Sequence, residues 1–137
     1  ADETSQSEAA VVPSQSDQAA LEAETDEDTY VPPDLIKYSP GVAKCWGYFS
    51  GTPNLLSPNY NIASLTDNGT GDRDLVIIND FSGTGYLTLA TRGEAGGNGQ
   101  TGCNGASRAV GSFRVTTYND SQALEDQEAH AAAWGDQ

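Results

Sequence analysis

The chain changes composition abruptly near residue 40, and this change limits what each part can fold into. All 15 glycines lie at or beyond Gly41. Residues 1–40 hold 10 of the 20 acidic residues and one base, Lys37, so they carry −9 of the formal net charge of −14. Such a segment cannot bury enough apolar surface to offset the entropy lost on ordering. We therefore predict that residues 1–40 form an acidic, extended and largely irregular anchoring arm.

The end of this arm differs from its beginning. Prolines at positions 32, 33 and 40 exclude a regular helix and favour an extended path. The same stretch carries large apolar and aromatic side chains and has no core of its own in which to bury them. It therefore predicts a docking strap that a partner, expected to be basic or groove-like, would hold. The predicted partner-contact residues are Tyr30, Val31, Pro32, Pro33, Leu35, Ile36 and Tyr38.

Residues 41–137 predict a β-rich head domain. Asp67–Asp72 contains Asn68-Gly69, which supplies the positive φ angles that a hairpin turn needs. Stretches that are rich in β-formers or alternate between apolar and polar residues predict strands at 42–49, 60–66, 74–79, 86–91, 112–118 and 131–134. Six or so short strands indicate an all-β fold, a small antiparallel β-sandwich or meander.

The patterns also predict which side chains face the core. The run 74–79 is apolar on both faces, which favours a central strand. The inward-facing residues are predicted to be Leu87, Leu89, Phe113 and Val115. Segment 119–130 is acidic and could form either a helix or a solvated loop. A body of 97 residues is small for a self-sufficient core, so association of identical subunits would help.

The charge excludes several classes of function. A formal charge of −14 argues against a nucleic-acid-binding surface and against unaided docking on anionic lipid. No apolar run approaches the length of a membrane span, so we expect no membrane insertion.

Cys45 and Cys103 permit at most one disulfide, and two reduced thiols are the expected state in a protein made in a reducing cytosol.

Three motifs suggest chemistry but have simpler explanations. Residues 97–102 match G-x-G-x-x-G, yet strand periodicity follows them, so 93–105 is predicted to be a flexible, exposed loop. The carboxylates of 67–74 lack calcium-loop spacing and predict a turn in which they bond their own backbone. His130, the single histidine, has no nucleophile motif beside it. We therefore expect no enzyme activity, no cofactor and no metal.

The aromatic residues allow two interpretations. Trp46, Trp134 and Tyr48, with Tyr60, Tyr86 and Tyr118, could stack on sugar rings. Aromatic side chains on half-buried strands more often belong to a core or a subunit interface, and we favour that interpretation.

Three stretches resemble the C-terminal β-domain of phage tail-fibre-like proteins and related virion appendages. PGVAKCWGYFSGT at 40–52 resembles the "A-K-A-W-x-x-F-N-G-T" opening of that domain, and YNIASLTDNGTGD at 60–72 is similar to its "Y-N-V-S-S-I-T-D-N-G-T-G-D" hairpin. The terminal WGDQ looks like its closing segment. The chain departs from the family at Cys45, in the strand after Asp72, and in having an acidic arm instead of a fibrous shaft.

The resemblance implies a trimeric β-head mounted on a virion by its N-terminal part. We therefore expect a structural accessory protein of a tailed phage, either a capsid decoration protein or a short fibre. It would be made in the host cytoplasm, lie on the particle exterior as a homotrimer, and contact other virion proteins through residues 1–40. The alternative is a tail-fibre tip that binds a host receptor or glycan, with loop 93–105 and nearby aromatics as its contact surface. The sequence leaves the choice between capsid and tail open.

Overall fold

The chain forms two compact units, residues 1–39 and residues 40–137. The structure is a computed structural model, and it describes residues 13–25, 28–52, 54–93 and 100–137, with the side chains of 103–106 outside that description.

The first unit has little regular structure. A short helix, α1 (Gln18–Ala23), begins at Asp17, whose Oδ1 accepts a hydrogen bond from the Ala20 amide at 2.8 Å. A parallel bridge between Gln15 and Tyr30 closes the loop that contains this helix. A single 3₁₀ turn follows at Ile36–Tyr38. In residues 13–25 and 28–39 only Ser16 and Pro32 are buried, so this part of the unit has no apolar core.

The second unit consists of eight antiparallel strands in two sheets, which confirms the all-β prediction. The first sheet has the order β2-β1-β8-β5, and the second has the order β3-β4-β7-β6. The strands are β1 (Cys45–Phe49), β2 (Leu55–Tyr60), β3 (Ile62–Gly69), β4 (Asp72–Ile77), β5 (Leu87–Arg92), β6 (Gln100–Ala109), β7 (Ser112–Tyr118) and β8 (Ala129–Trp134). All the pairings within both sheets are antiparallel.

The core lies between the inner faces of the two sheets, as in a β-sandwich. Strand alternation turns every second residue inward, so β1 contributes Cys45 and Phe49 while β7 contributes Phe113 and Val115. The inward residues of β8 are alanines at 129, 131 and 133, whose small side chains leave space for the larger ones opposite. The buried core residues are Cys45, Phe49, Ile62, Leu75, Ile77, Phe81, Tyr86, Phe113, Val115, Ala129, Ala131 and Ala133.

Between β2 and β3 the chain passes from the first sheet to the second through a single residue. Asn61 lies between β2 and β3 in the left-handed region with φ 55°, a conformation that asparagine tolerates. Its Nδ2 donates to the Lys44 carbonyl at 2.9 Å, and its Oδ1 accepts from the Asn79 amide at 2.9 Å. The buried Asn61 side chain therefore fixes the corner at which the strands change sheets.

The β3–β4 hairpin forms where Asn68-Gly69 predicts it. Asp67 Oδ1 accepts from the Gly69 amide at 2.9 Å, so the carboxylate bonds its own turn as expected. Gly69 and Gly71 have φ of 128° and 66°. A Cβ on Gly71 would lie 2.5 Å from the Thr117 carbonyl oxygen, so this position requires glycine for space as well as for φ.

A buried arginine connects this hairpin to the long segment after β7. Arg73 faces inward on β4, and its guanidinium lies over the Phe49 ring at 5.4 Å. Its Nη2 donates to the Gly51 carbonyl at 2.6 Å and to Asp126 Oδ1 at 2.9 Å, while Nη1 donates to the Gln127 carbonyl. The sequence leaves segment 119–130 open between helix and loop. Residues 119–128 are irregular, residues 129 and 130 begin β8, and the Arg73 bonds hold the irregular part at Asp126 and Gln127.

Several sequence predictions require correction. Leu87 and Leu89 were predicted to face the core, but they are 63% and 55% exposed, and Tyr86 is buried instead. Strand β2 was not predicted. Strand β6 occupies residues 100–105 of the predicted glycine loop, and residues 94–99 of that loop lie outside the described residues. The prediction that β4 is central is confirmed, although its outer face is only half-buried.

Candidate functional site

The outer face of the first sheet is the most distinctive surface of the head. The register between strands places Tyr60 beside Trp46 and Trp46 beside Ala132, and Leu89 follows on β5. The parallel row contains Leu56, Tyr48, His130 and Thr91. Trp134 and Leu87 complete the face at one end. We call this set of ten residues the aromatic face.

The aromatic face is apolar and open. Trp46, Tyr60, Leu87 and Leu89 are all exposed, and they are four of the ten large hydrophobic residues that are exposed in the described chain. Among the described strand residues, none that contributes to this face is Asp, Glu, Lys or Arg. The largest apolar patch on a protein surface often serves an interaction, so this face is the candidate site.

A shallow groove crosses the centre of this face. Its volume is about 310 Å³, and its lining includes Trp46, Tyr48, Pro58, Leu89, Thr91 and His130. The rings of Tyr48 and His130 stack at 4.5 Å between centroids with an interplanar angle of 16°. At the rim, the Tyr48 hydroxyl donates to Glu128 Oε2 at 2.7 Å. The stack and the hydrogen bond hold Tyr48 in one orientation, which gives the groove a defined wall.

The groove offers apolar contact with few polar groups. Ring faces and aliphatic side chains can receive a flat apolar surface, including the face of a sugar ring or another protein's side chains. His130, the one candidate for acid–base chemistry that the sequence singles out, is engaged in the stack with Tyr48. The arrangement supports binding by shape and apolar contact.

The outer face of the second sheet has the opposite character. Arg114 Nε and Nη2 donate to the two carboxylate oxygens of Asp74 at 2.9 and 3.1 Å, and Arg114 also lies near Asp72. The hydrogen bonds from Arg114 hold the pKa of the Asp74 carboxyl below its ordinary value of 3.8. Ser64 and Thr66 extend this polar surface on β3.

The acidic turn that precedes this face does not form a cation site. Asp67 bonds its own turn, whereas Asp72 and Asp74 pair with Arg114. Within residues 13–25, 28–52, 54–93 and 100–137, no group of three His, Cys, Asp or Glu side chains is placed to hold a metal ion.

Cys45 is a free thiol in the sandwich core. Burial raises its pKa to about 12, although a hydrogen bond from the Ala133 backbone acts in the opposite direction. A thiol with so high a pKa is a poor nucleophile at neutral pH. The side chain of Cys103 is among those that the structure does not describe.

The predicted contact residues of the arm do not share one environment. Tyr30, Val31, Pro33 and Ile36 are exposed, and Ile36 is 49% exposed within the 3₁₀ turn. Leu35 and Tyr38 are half-buried, with Lys37 Nζ 4.9 Å from the centre of the Tyr38 ring. Pro32 is buried. Four of the seven predicted contacts of the strap are therefore exposed.

The aromatic face is not predictable as a unit from the sequence. The pattern favours a core or a subunit interface for Trp46, Tyr48, Tyr60 and Trp134, and it places Leu87 and Leu89 in the core. The missed signal is the alternation of Tyr86, Thr88 and Ala90, which fits the inner face equally well. Tyr86 is the inward residue because its hydroxyl donates to the carbonyls of Ala109 and Ser112.

Comparison with protein-family models, with curated proteins and with solved structures finds no match to this chain. The resemblance to phage appendage domains therefore stays a prediction. In the described part of the chain, α1 is six residues long, and no helix has the length and apolar character needed to cross a bilayer.

Proposed function

We propose that this chain is a non-enzymatic structural accessory protein of a tailed-phage particle, with the β-sandwich as a projecting head and residues 1–40 as its attachment arm. The proposal includes a homotrimeric head on the particle exterior, as either a capsid decoration protein or a short fibre. It rests on the sequence resemblance and on the division of the chain into two dissimilar units.

The observation that carries the proposal is the state of the arm. The described arm buries only Ser16 and Pro32, yet it exposes Tyr30, Val31 and Ile36. Exposed apolar side chains on a segment without a core favour a segment that becomes ordered on a partner. The carboxylates at 17, 22, 24, 28 and 34 are also exposed, which favours a partner surface with basic character.

The test uses the full chain and particles produced from the genome that encodes it. Purified chain is mixed with particles that lack it, and co-sedimentation in a density gradient is measured. Ile36→Asp places a charge on the exposed strap, and it is expected to weaken attachment about tenfold or more. Thr25→Asp adds the same charge at an exposed arm position without removing an apolar contact, and it should change attachment less than about twofold.

Failure of the unmodified chain to co-sediment, together with its absence from purified particles, would refute the structural role. Equal attachment of Ile36→Asp and Thr25→Asp would show that the strap is not the contact.

A second candidate function is a tip that binds a host receptor or glycan. The groove beside Trp46 supports it, because a tryptophan ring and a rigid tyrosine–histidine stack border an open apolar surface. Purified chain should then compete with particles for adsorption to host cells, and Trp46→Leu should lose this competition while retaining an apolar residue. Adsorption that is unchanged at saturating protein would count against this candidate.

A further inference from the structure

We infer that the aromatic face is the contact surface for a second copy of this chain. This inference deepens the oligomeric part of the proposed function, since it names the surface through which heads associate. It rests on the distribution of charge and on the composition and size of the face.

The charge distribution favours a second copy over a basic partner. The chain has a formal charge of −14, and residues 41–137 alone carry ten acidic and five basic residues. Two copies therefore repel each other, and an uncharged contact surface adds least to that repulsion. The described strands place no Asp, Glu, Lys or Arg on the aromatic face, and Glu128 stands at its rim bonded to Tyr48. A partner recognised by charge complementarity would instead require acids on the contact surface.

The face also has the composition of a homomeric interface. Interfaces between identical subunits are more apolar than other protein surfaces, are enriched in tryptophan and tyrosine, and carry few charges at their centre. Both tryptophans of the chain, Trp46 and Trp134, lie on this face, together with Tyr48 and Tyr60. The composition of the face therefore matches that of a surface shared between identical subunits.

The size of the face sets the expected strength of the contact. Four strands about 4.8 Å apart, each about six residues long at about 3.3 Å per residue, span roughly 19 by 20 Å. This plane of about 380 Å² is smaller than the roughly 800 Å² that each partner buries in a stable complex, although side-chain relief adds to it. Association in dilute solution should therefore be weak, and attachment of several copies to one particle would strengthen it by raising their local concentration.

The sign of the salt dependence distinguishes this contact from other uses of the face. Self-association through an uncharged surface of an acidic chain should strengthen as NaCl rises from about 20 mM to about 500 mM, because the Debye length falls from roughly 20 Å to 4 Å and screens the repulsion. Binding of a basic partner would weaken over the same range. Binding of a neutral sugar would not change.

The experiment measures the full chain by sedimentation equilibrium and by tryptophan fluorescence over a concentration series. The series extends to about 1 mM so that an association with a dissociation constant near that value can be detected. Because both tryptophans lie on the face, association should shift their emission to shorter wavelength and reduce quenching by acrylamide. Leu89→Lys should weaken association about tenfold or more, and Leu87→Lys should repeat the effect. Both positions are more than half exposed, so folding is expected to be retained.

The matched control is Ser64→Lys, which adds the same charge at an exposed position on the outer face of the second sheet. An added positive charge reduces the repulsion between copies wherever it lies, so a general charge effect would strengthen association in both variants. Weakening by Leu89→Lys together with unchanged or stronger association of Ser64→Lys supports the assignment.

Three results would overturn the inference. The first is a monomer with constant fluorescence over the whole concentration series. The second is an association that weakens as salt rises or that Leu89→Lys does not change. The third is a shift in tryptophan emission that only a neutral oligosaccharide produces. The particle-attachment test has an independent outcome. Retained attachment of a chain that never self-associates would refute this inference and the homotrimer but leave the virion role intact. Self-association of a chain that does not attach would refute only the virion role.

Discussion

The two sheets of the head have inner faces that share one core and outer faces with opposite chemistry. The outer face of the first sheet presents Trp46, Tyr60, Leu87 and Leu89 to solvent. The equivalent face of the second sheet is organised around Arg114 and its two aspartates. An antiparallel sheet that covers a core on one side ordinarily has a polar outer side, as the second sheet does. The first sheet departs from this pattern on its solvent side only.

The comparison teaches that folding does not require the apolar residues of the aromatic face. The core closes through inward residues such as Phe49, Leu75 and Phe113, which are fully buried without help from the outer face. Exposed leucine and tryptophan side chains gain stabilisation only when something covers them. The difference between the outer faces therefore reflects contacts made by the folded head.

The largest expected difference is between a leucine on an inner face, Leu75, and a leucine on the aromatic face, Leu89. Leu75→Ala removes a fully buried side chain from the inner face of β4 and should lower the free energy of unfolding by about 2–5 kcal/mol. Leu89→Ala removes the same atoms from the aromatic face and should change it by less than about 0.5 kcal/mol. Urea unfolding at low protein concentration measures both. Similar losses for the two variants would mean that the aromatic face belongs to the folded core.

An intermediate effect is expected at Arg73, which points into the sandwich from the inner face of β4. Arg73→Met keeps an apolar stem but leaves Asp126 and the carbonyls of Gly51 and Gln127 without their donor. We expect a loss of about 2–4 kcal/mol, less than for a fully buried ion pair because Asp126 is half exposed. Arg114→Met, on the outer face of the same sheet, is the control and should have a much smaller effect in the same unfolding assay.

The smallest expected effect concerns pH. The pKa of Asp74 is lower in the folded head than its ordinary value of 3.8, because Arg114 donates to the carboxylate. The pair therefore stabilises the fold above that ordinary value, and its contribution disappears as the pH falls through the lower folded-state pKa. Arg114→Gln should flatten the decline of the melting temperature between about pH 5 and pH 2. Lys37→Gln changes the net charge equally but lies in the arm, and its acid profile should match that of the unmodified chain.

Strand existence could be predicted wherever the sequence alternates or concentrates β-formers. The runs near Trp46, Leu75 and Phe113 were identified for this reason, as was the turn at Gly69. Strand β2 was missed because it contains Pro58, which cannot donate a ladder hydrogen bond. It is nevertheless compatible with the strand because β2 lies at a sheet edge. Strand β6 was missed because its glycines weaken the strand pattern, and its pairing with β7 is a long-range property.

The candidate site was less predictable than the fold. An alternating sequence pattern predicts that one face of a strand is buried, but it does not show which face. Leu87 and Leu89 are therefore predicted to face the core on hydrophobicity alone. The decision depends on partners that are distant in sequence, since Tyr86 is drawn inward by carbonyls 23 and 26 residues away. The same holds for the stack of His130 on Tyr48, which forms only because β8 is inserted between β1 and β5.

Cys45 can serve as an internal probe of how often the head opens. Its thiol is fully buried between the sheets, and its pKa of about 12 leaves almost no thiolate at neutral pH. An alkylating reagent can therefore reach and modify this sulfur only during excursions in which the sandwich separates. The rate of modification at Cys45, read by peptide mapping, reports the frequency of those excursions while the arm and the aromatic face remain chemically untouched.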